Sequence, residues 1–180
     1  MPTSRSARPR APQAGETLLA THFTRLGGGK AANRACLAHR LGHATRLLAR
    51  VGADDLQAQA LAPLRRAGID LSGVTEAEGA ATAVSMIAVP PGGKKTIILA
   101  NNANEAWDDA AIAAAVGAIA TAPRGSVLSA NCEITPEAVR RCITAAHDSG
   151  LRIVLDPAPA APEPPLLSRE VGGDEIQARP

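Results

Sequence analysis

A chain of 180 residues with 46% hydrophobic and 20% charged residues and a mean hydropathy of +0.00 has apolar material for one domain with a core, and little for two. That balance excludes a wholly disordered chain and a membrane protein: the longest small-apolar run, Ala110 to Ala122, is broken by Gly117 and falls short of the roughly 20 residues a bilayer span needs. The net charge of +2 is spread over interleaved acids and bases, and the one basic cluster, Arg5, Arg8 and Arg10, sits in a Pro/Ser/Ala-rich leader that reads as a solvated tail rather than a nucleic-acid or membrane arm.

In chain order, residues 1–14 read as a disordered leader with no apolar run of the secretory kind. Gly15 to Leu26 reads as extended, with room for a pair of short strands. Lys30 to Leu41 reads as a helix with a small-residue face, stopped by Gly42, and Ala44 to Val51 as a strand. Asp54 or Asp55 is placed to cap the next helix, where Leu56, Ala60, Leu64 and Ala67 recur at helical spacing before Gly68. Thr82 to Val89 and Thr96 to Leu99 are β-rich runs joined by Pro90-Pro91-Gly92-Gly93, a hairpin pattern. Asp108 to Ala122 is an Ala-rich helix, and Val127 to Ala130 a buried-type strand. Thr135 with Pro136 starts a helix that runs to about His147, and Leu151 to Leu155 is a last buried strand.

Strands alternating with helices of this length predict an α/β sandwich with a mainly parallel sheet, and the hairpin predicts a small antiparallel element apart from it. Phe23 and Trp107 are the only aromatics, so the core is thin and the expected stability marginal. Cys36, Cys132 and Cys142 form no CxxC pair, which indicates neither a zinc site nor a disulfide framework and suits a reducing cytoplasm. His22, His39, His43 and His147 show no ligand spacing.

Gly27-Gly28-Gly29-Lys30-Ala31-Ala32-Asn33 is the stretch most able to do chemistry. Glycines ahead of a helix let the backbone approach a ligand, and the unpaired N–H groups of the first turn then point at it. A Walker A loop is excluded, because Ala31 follows Lys30 where Ser or Thr is required and the glycine spacing is wrong. A dinucleotide-binding pattern can be written at Gly27, Gly29 and Ala32, but it needs a buried strand before it and an acid about 20 residues on. Thr21 to Leu26 mixes His, Thr and Arg, and the nearest acids, Asp54 and Asp55, lie beyond a second glycine turn.

A third reading fits at more positions. Gly28-Gly29-Lys30-Ala31-Ala32-Asn33-Arg34-Ala35, then Gly42 after six residues and Gly52 after nine more, resembles the first motif of the ribokinase-like (PfkB-type) carbohydrate kinases. Gly15-Glu16-Thr17, Arg50-Val51-Gly52-Ala53-Asp54-Asp55, Ala67-Gly68-Ile69-Asp70, Ala100-Asn101-Asn102-Ala103-Asn104 (Asn102 in a glycine position), Asn131-Cys132-Glu133 and Leu155-Asp156-Pro157-Ala158-Pro159-Ala160 are similar to further family segments in order and spacing. The resemblance covers about Gly15 to Ala160.

It implies a partial three-layer α/β/α sandwich with a small β lid over residues 15–160, followed by a divergent Pro-rich tail over 161–180. It implies ATP-dependent phosphorylation of a sugar, ribose foremost, with ATP and Mg2+, and in some members a monovalent cation, as cofactors. It implies a homodimer formed through the lid, while the solvated leader and interleaved charges imply neither a nucleic-acid nor a membrane partner. Gly28, Gly29, Lys30, Ala31, Ala32, Asn33 and Glu133 would line the sugar pocket. The plainer alternatives are a solvated Lys30, an Asn33 that satisfies loop carbonyls, and a Glu133 that faces the next helix's N-terminus. Asp156 reads as a turn former ahead of Pro157.

Three family segments have no counterpart. Met1 to Pro12 stands where the family has a buried strand with Asn-x-Asp, no Pro-Asn-Glu follows Ala160, and the Gly-Ala-Gly-Asp that carries the base is echoed only by Gly172-Gly173-Asp174. The expectation is therefore a chain without a catalytic base, inactive as it stands through a truncation or frameshift near Ala160. A non-catalytic sugar-binding or degenerate fragment is the alternative.

Overall fold

The computed structural model describes residue 12 and residues 14–90 and 92–158. Most of the expected leader and the whole Pro-rich tail lie outside the described residues. The described residues divide into two units, one holding Leu26–Ala83 and residues 101–158, the other the described residues up to Arg25 with those of 84–100.

In the larger unit, helix α1 (Lys30–Arg40) leads to strand β1 (Arg46–Gly52), helix α2 (Asp55–Ala67) and strand β2 (Asp70–Ala77). After a 3₁₀ turn at Asn102–Glu105 come α3 (Asp109–Ala120), β5 (Val127–Asn131), α4 (Pro136–Asp148) and β6 (Arg152–Asp156). β1 pairs with β2 and β5 with β6, both in parallel. The smaller unit holds β3 (Val84–Ala88) antiparallel to β4 (Thr96–Ala100).

Helices α2, α3 and α4 start where the sequence supplies a side-chain acceptor for their first N–H groups. Asp54 accepts from the Gln57 amide at 3.1 Å, Asp108 from the Ala111 amide at 2.7 Å and Thr135 from the Ala138 amide at 3.4 Å. Each such cap contributes of order 1 kcal/mol. Asp54 also accepts from the Thr82 hydroxyl at 2.6 Å and the Thr82 amide at 2.8 Å, while the Gly52 amide donates to Thr82 Oγ1 at 3.0 Å. One cap thereby ties the end of β1 and the start of α2 to the chain ahead of β3.

Consecutive residues of β1 show the layers. Leu47 joins Ala35, Val51, Leu61, Leu64 and Ile69 beneath α1 and α2. Leu48 packs against Ala115, Ile119, Cys142 and Ala146 from α3 and α4. Side chains alternate across a strand, so helices cover both of its faces, as an α/β sandwich requires. Val139 and Ile143 of α4 extend the packing over Leu128, Ile153 and Leu155 of β5 and β6. Among the described residues the most enclosed large side chains are Val139 at 1% exposure and Leu64, Ile112 and Ile119 at 3%, and none is aromatic, in keeping with the thin core.

Two expectations need correcting. Residues 16–29 form neither strand nor helix, so the short strands expected between Gly15 and Leu26 are absent; the segment is almost wholly exposed, with no ladder to enter. That absence also removes the dinucleotide reading, which requires a strand before Gly27. Conversely β2 is a strand where no strand was expected. Asp70, Ser72 and Gly73 blur its pattern, but Gly73 belongs there: a Cβ on it would lie 2.4 Å from Leu48 Cδ2 and 2.8 Å from the Leu47 carbonyl oxygen, beside the register shift between Arg46 and Leu48.

Candidate functional site

The glycine run serves two ends. Gly27 packs: a Cβ there would meet the Ala60 carbonyl oxygen at 2.9 Å and the Gln59 carbonyl oxygen at 3.2 Å. Both carbonyls belong to α2 just before Pro63, whose missing N–H leaves the Gln59 carbonyl without its helical donor. Gly28 and Gly29 have nothing within 4 Å of the same position, and Gly29 has φ 107, a conformation that glycine alone adopts freely. No side chain caps α1 and no acid occupies its first turn. Its first N–H groups accordingly remain for a ligand or solvent beside an open stretch of backbone.

The side chains of α1 then close on the ends of β5 and β6. Lys30 Nζ donates to the Glu133 carboxylate. Arg34, one turn on, donates to the Ala130 carbonyl at 3.0 Å, to Ser129 Oγ at 3.4 Å and to the Asp156 carboxylate. The Asn131 amide oxygen accepts from the Glu133 N–H at 3.0 Å, and Asp156 from the Ala158 N–H at 3.1 Å. Lys30 and Glu133, 103 residues apart in sequence, are brought together as partners.

The other anticipated residues divide differently. The side chains of Ala31 and Ala32 pack against the α1–α2 core cluster, which leaves their backbone for any ligand. Asn33 is exposed and, with Gly27, Gly28, Cys36 and Pro63, lines a cavity of about 20 Å³. Arg34 and Asn131 were not anticipated. Lys30 and Arg34 stand four apart on one helix face, a signal visible in the sequence although their partners were not. Asp156 is the turn former expected of it and an ion-pair partner as well. Burial, and then the Asp156 charge, push the Cys132 thiol up, so it stays protonated and is a poor nucleophile.

The description of the pfkB family of carbohydrate kinases matches residues 4–169. The chain belongs to that family. It is 32% identical over 157 residues to a ribokinase of Schizosaccharomyces pombe, covering 84% of this chain and 48% of that one. It is 33% identical over 154 residues to a ribokinase of Bacillus subtilis, covering 84% of this chain and 50% of the relative. The structure of Arabidopsis thaliana ribokinase complexed with ribose and ATP superposes with a TM-score of 0.68 at 24% identity, over 83% of this chain and 48% of that one. The fold is thus a partial ribokinase-like α/β fold, and the chain spans about half the length of the relatives it matches. Asn102, expected to stand in a glycine position, has φ 43, a left-handed backbone that asparagine tolerates better than most residues.

Proposed function

We propose that residues 15–160 form the sugar-binding part of a ribokinase-like, ATP-dependent carbohydrate kinase, and that the 180 residues by themselves hold a sugar, ribose foremost, without transferring phosphate. The Lys30–Glu133 pair beside the open Gly28–Gly29 backbone carries this reading, and family membership and the ribokinase relatives support it. Glu133 accepts from sugar hydroxyls, Lys30 holds that carboxylate in place and donates from its remaining protons, and Asn33 supplies an amide from the same turn. A site built from such fixed groups rejects a sugar lacking the matching hydroxyl, because the groups are then left unpaired.

When bound, ATP with Mg2+ supplies the phosphoryl group, and transfer depends on positioning and charge stabilisation. Magnesium in such enzymes is held by one or two carboxylates together with substrate phosphates. Among the described residues no group of three or more His, Cys, Asp or Glu side chains converges as an ion site. Nucleotide, magnesium and a monovalent cation are the cofactors the family assignment suggests, and ATP is the phosphoryl donor in this reading. Free Cys36, Cys132 and Cys142 suit the cytoplasm. The exposed apolar hairpin, with Met86, Ile87 and Ile98 uncovered, suits pairing with a second copy.

Two measurements on the 180-residue chain test the proposal. Ribose should raise its melting temperature, and replacing Lys30 or Glu133 by Ala should weaken binding about tenfold or more. A coupled ADP-release assay with ribose and MgATP should stay at background. Absence of ribose protection overturns the sugar site, and turnover well above background overturns the claim of inactivity.

A further inference from the structure

We infer that Arg34 is a positioning residue for the Lys30–Glu133 pair, setting where the turn after β5 presents Glu133; the inference rests on the sugar-site reading above. An isolated surface ion pair would not carry this. Arg34 and Asp156 are each about one-third exposed (32% and 33%), and such pairs contribute little stability. What distinguishes Arg34 is where its donors go. One guanidinium nitrogen reaches the Ala130 carbonyl at 3.0 Å and Ser129 Oγ at 3.4 Å, while the other takes Asp156 at the end of β6.

From Asp156 the connections return to the site. Its other oxygen accepts from the Ala158 N–H at 3.1 Å. The Ala158 carbonyl accepts from the Cys132 N–H at 3.2 Å. Cys132 directly precedes Glu133, whose own N–H is held by Asn131 at 3.0 Å. The guanidinium therefore grips β5 directly at Ala130 and, through Asp156 and Ala158, the turn that follows it at Cys132. Glu133 leaves a turn fixed on both sides. A planar fork with several donors suits this task, and a lysine, as a point charge, does not.

Residue-resolved amide hydrogen exchange and ribose titration of the 180-residue chain test the assignment. Arg34→Ala should speed exchange at the Cys132 and Glu133 amides about tenfold, leave β1 and β2 amides unchanged, and weaken ribose binding about tenfold. The double change Arg34→Gln with Asp156→Asn keeps a neutral donor–acceptor pair and should return both readouts to within about threefold of the parent. If Arg34→Ala does not fold, Arg34→Gln alone serves in its place. Unchanged exchange at those two amides, or a rise shared equally by β1 and β2, overturns the positioning role whatever ribose does. If the parent chain itself binds no ribose, the sugar reading fails and the exchange pattern alone decides the role of Arg34.

Discussion

Strands β4 and β6 share an apolar centre, Ile, then Ile or Val, then Leu, in different circumstances. β4 is Thr-Ile-Ile-Leu-Ala and β6 is Arg-Ile-Val-Leu-Asp. Every residue of β4 is exposed, whereas Ile153, Leu155 and Asp156 of β6 are at least partly covered. The difference lies in their company. β6 pairs with β5 and receives Val139 and Ile143 from α4, while among the described residues β4 pairs only with β3, whose Met86 and Ile87 are exposed too. An apolar β-branched run thus specifies a strand, and an amphipathic helix elsewhere in the chain decides whether that strand becomes core.

The sharpest test removes equal side chains from the two settings. Ile143 is 5% exposed and Ile98 is 61% exposed. Ile143→Ala should cost about 2–5 kcal/mol, transfer and cavity terms together, and could unfold a chain with so thin a core. Ile98→Ala should stay within about 0.5 kcal/mol. Urea denaturation of both variants measures the contrast. An Ile98→Ala loss as large as that of Ile143→Ala would break the comparison and mean that the hairpin face is covered in solution.

A smaller effect is expected from two glycines. At Gly27 an added Cβ would meet the α2 carbonyls, at 2.9 Å from Ala60, whereas at Gly92 in the hairpin turn it would meet nothing within 4 Å. Gly27→Ala should destabilise by about 1–3 kcal/mol, as overpacking does, and Gly92→Ala by no more than about 0.5 kcal/mol. Thermal melts of the pair check this, and equal losses would show that the loop ahead of α1 yields freely to α2.

These glycines also mark how far the sequence could be read. Helix and strand periods placed α1, α2, α3, α4, β1, β5, β6 and the hairpin to within about two residues, because caps such as Asp54, Asp108 and Thr135 are local signals. β2 was missed because Asp70 and Gly73 dilute its pattern, and Gly73 is required by a neighbour, Leu48, that lies 25 positions earlier in the chain. The glycine run was legible as a close-approach segment, but not that Gly27 approaches α2 while Gly28 and Gly29 face open space. Lys30 and Glu133 were legible singly. Their pairing, and the part Arg34 takes beside them, depends on β5 and β6 lying side by side, which no local pattern encodes.

Acid offers the gentlest way to separate the two regions. Hydrogen bonds from the Ser72 hydroxyl and amide, and then from Arg46, hold the Asp70 carboxyl down to about 2 from an ordinary value of 3.8. Those from the Thr82 hydroxyl and amide lower Asp54 as well. Between those values the unfolded chain binds more protons than the folded one, so stability rises with pH. The contribution of Asp70 is complete above about pH 4 and drains away as the pH falls toward 2. Residues 84–100 contain no carboxylate, only Lys94 and Lys95. Amide exchange followed from pH 5 down to about pH 2 should therefore loosen β1 and β2 first, and Asp70→Asn should flatten that acid response while lowering stability at neutral pH. If β3 and β4 loosen with the same midpoint and the same dependence on Asp70, the hairpin draws its order from the larger unit, and its exposed apolar residues are held in place by a scaffold they do not themselves help to build.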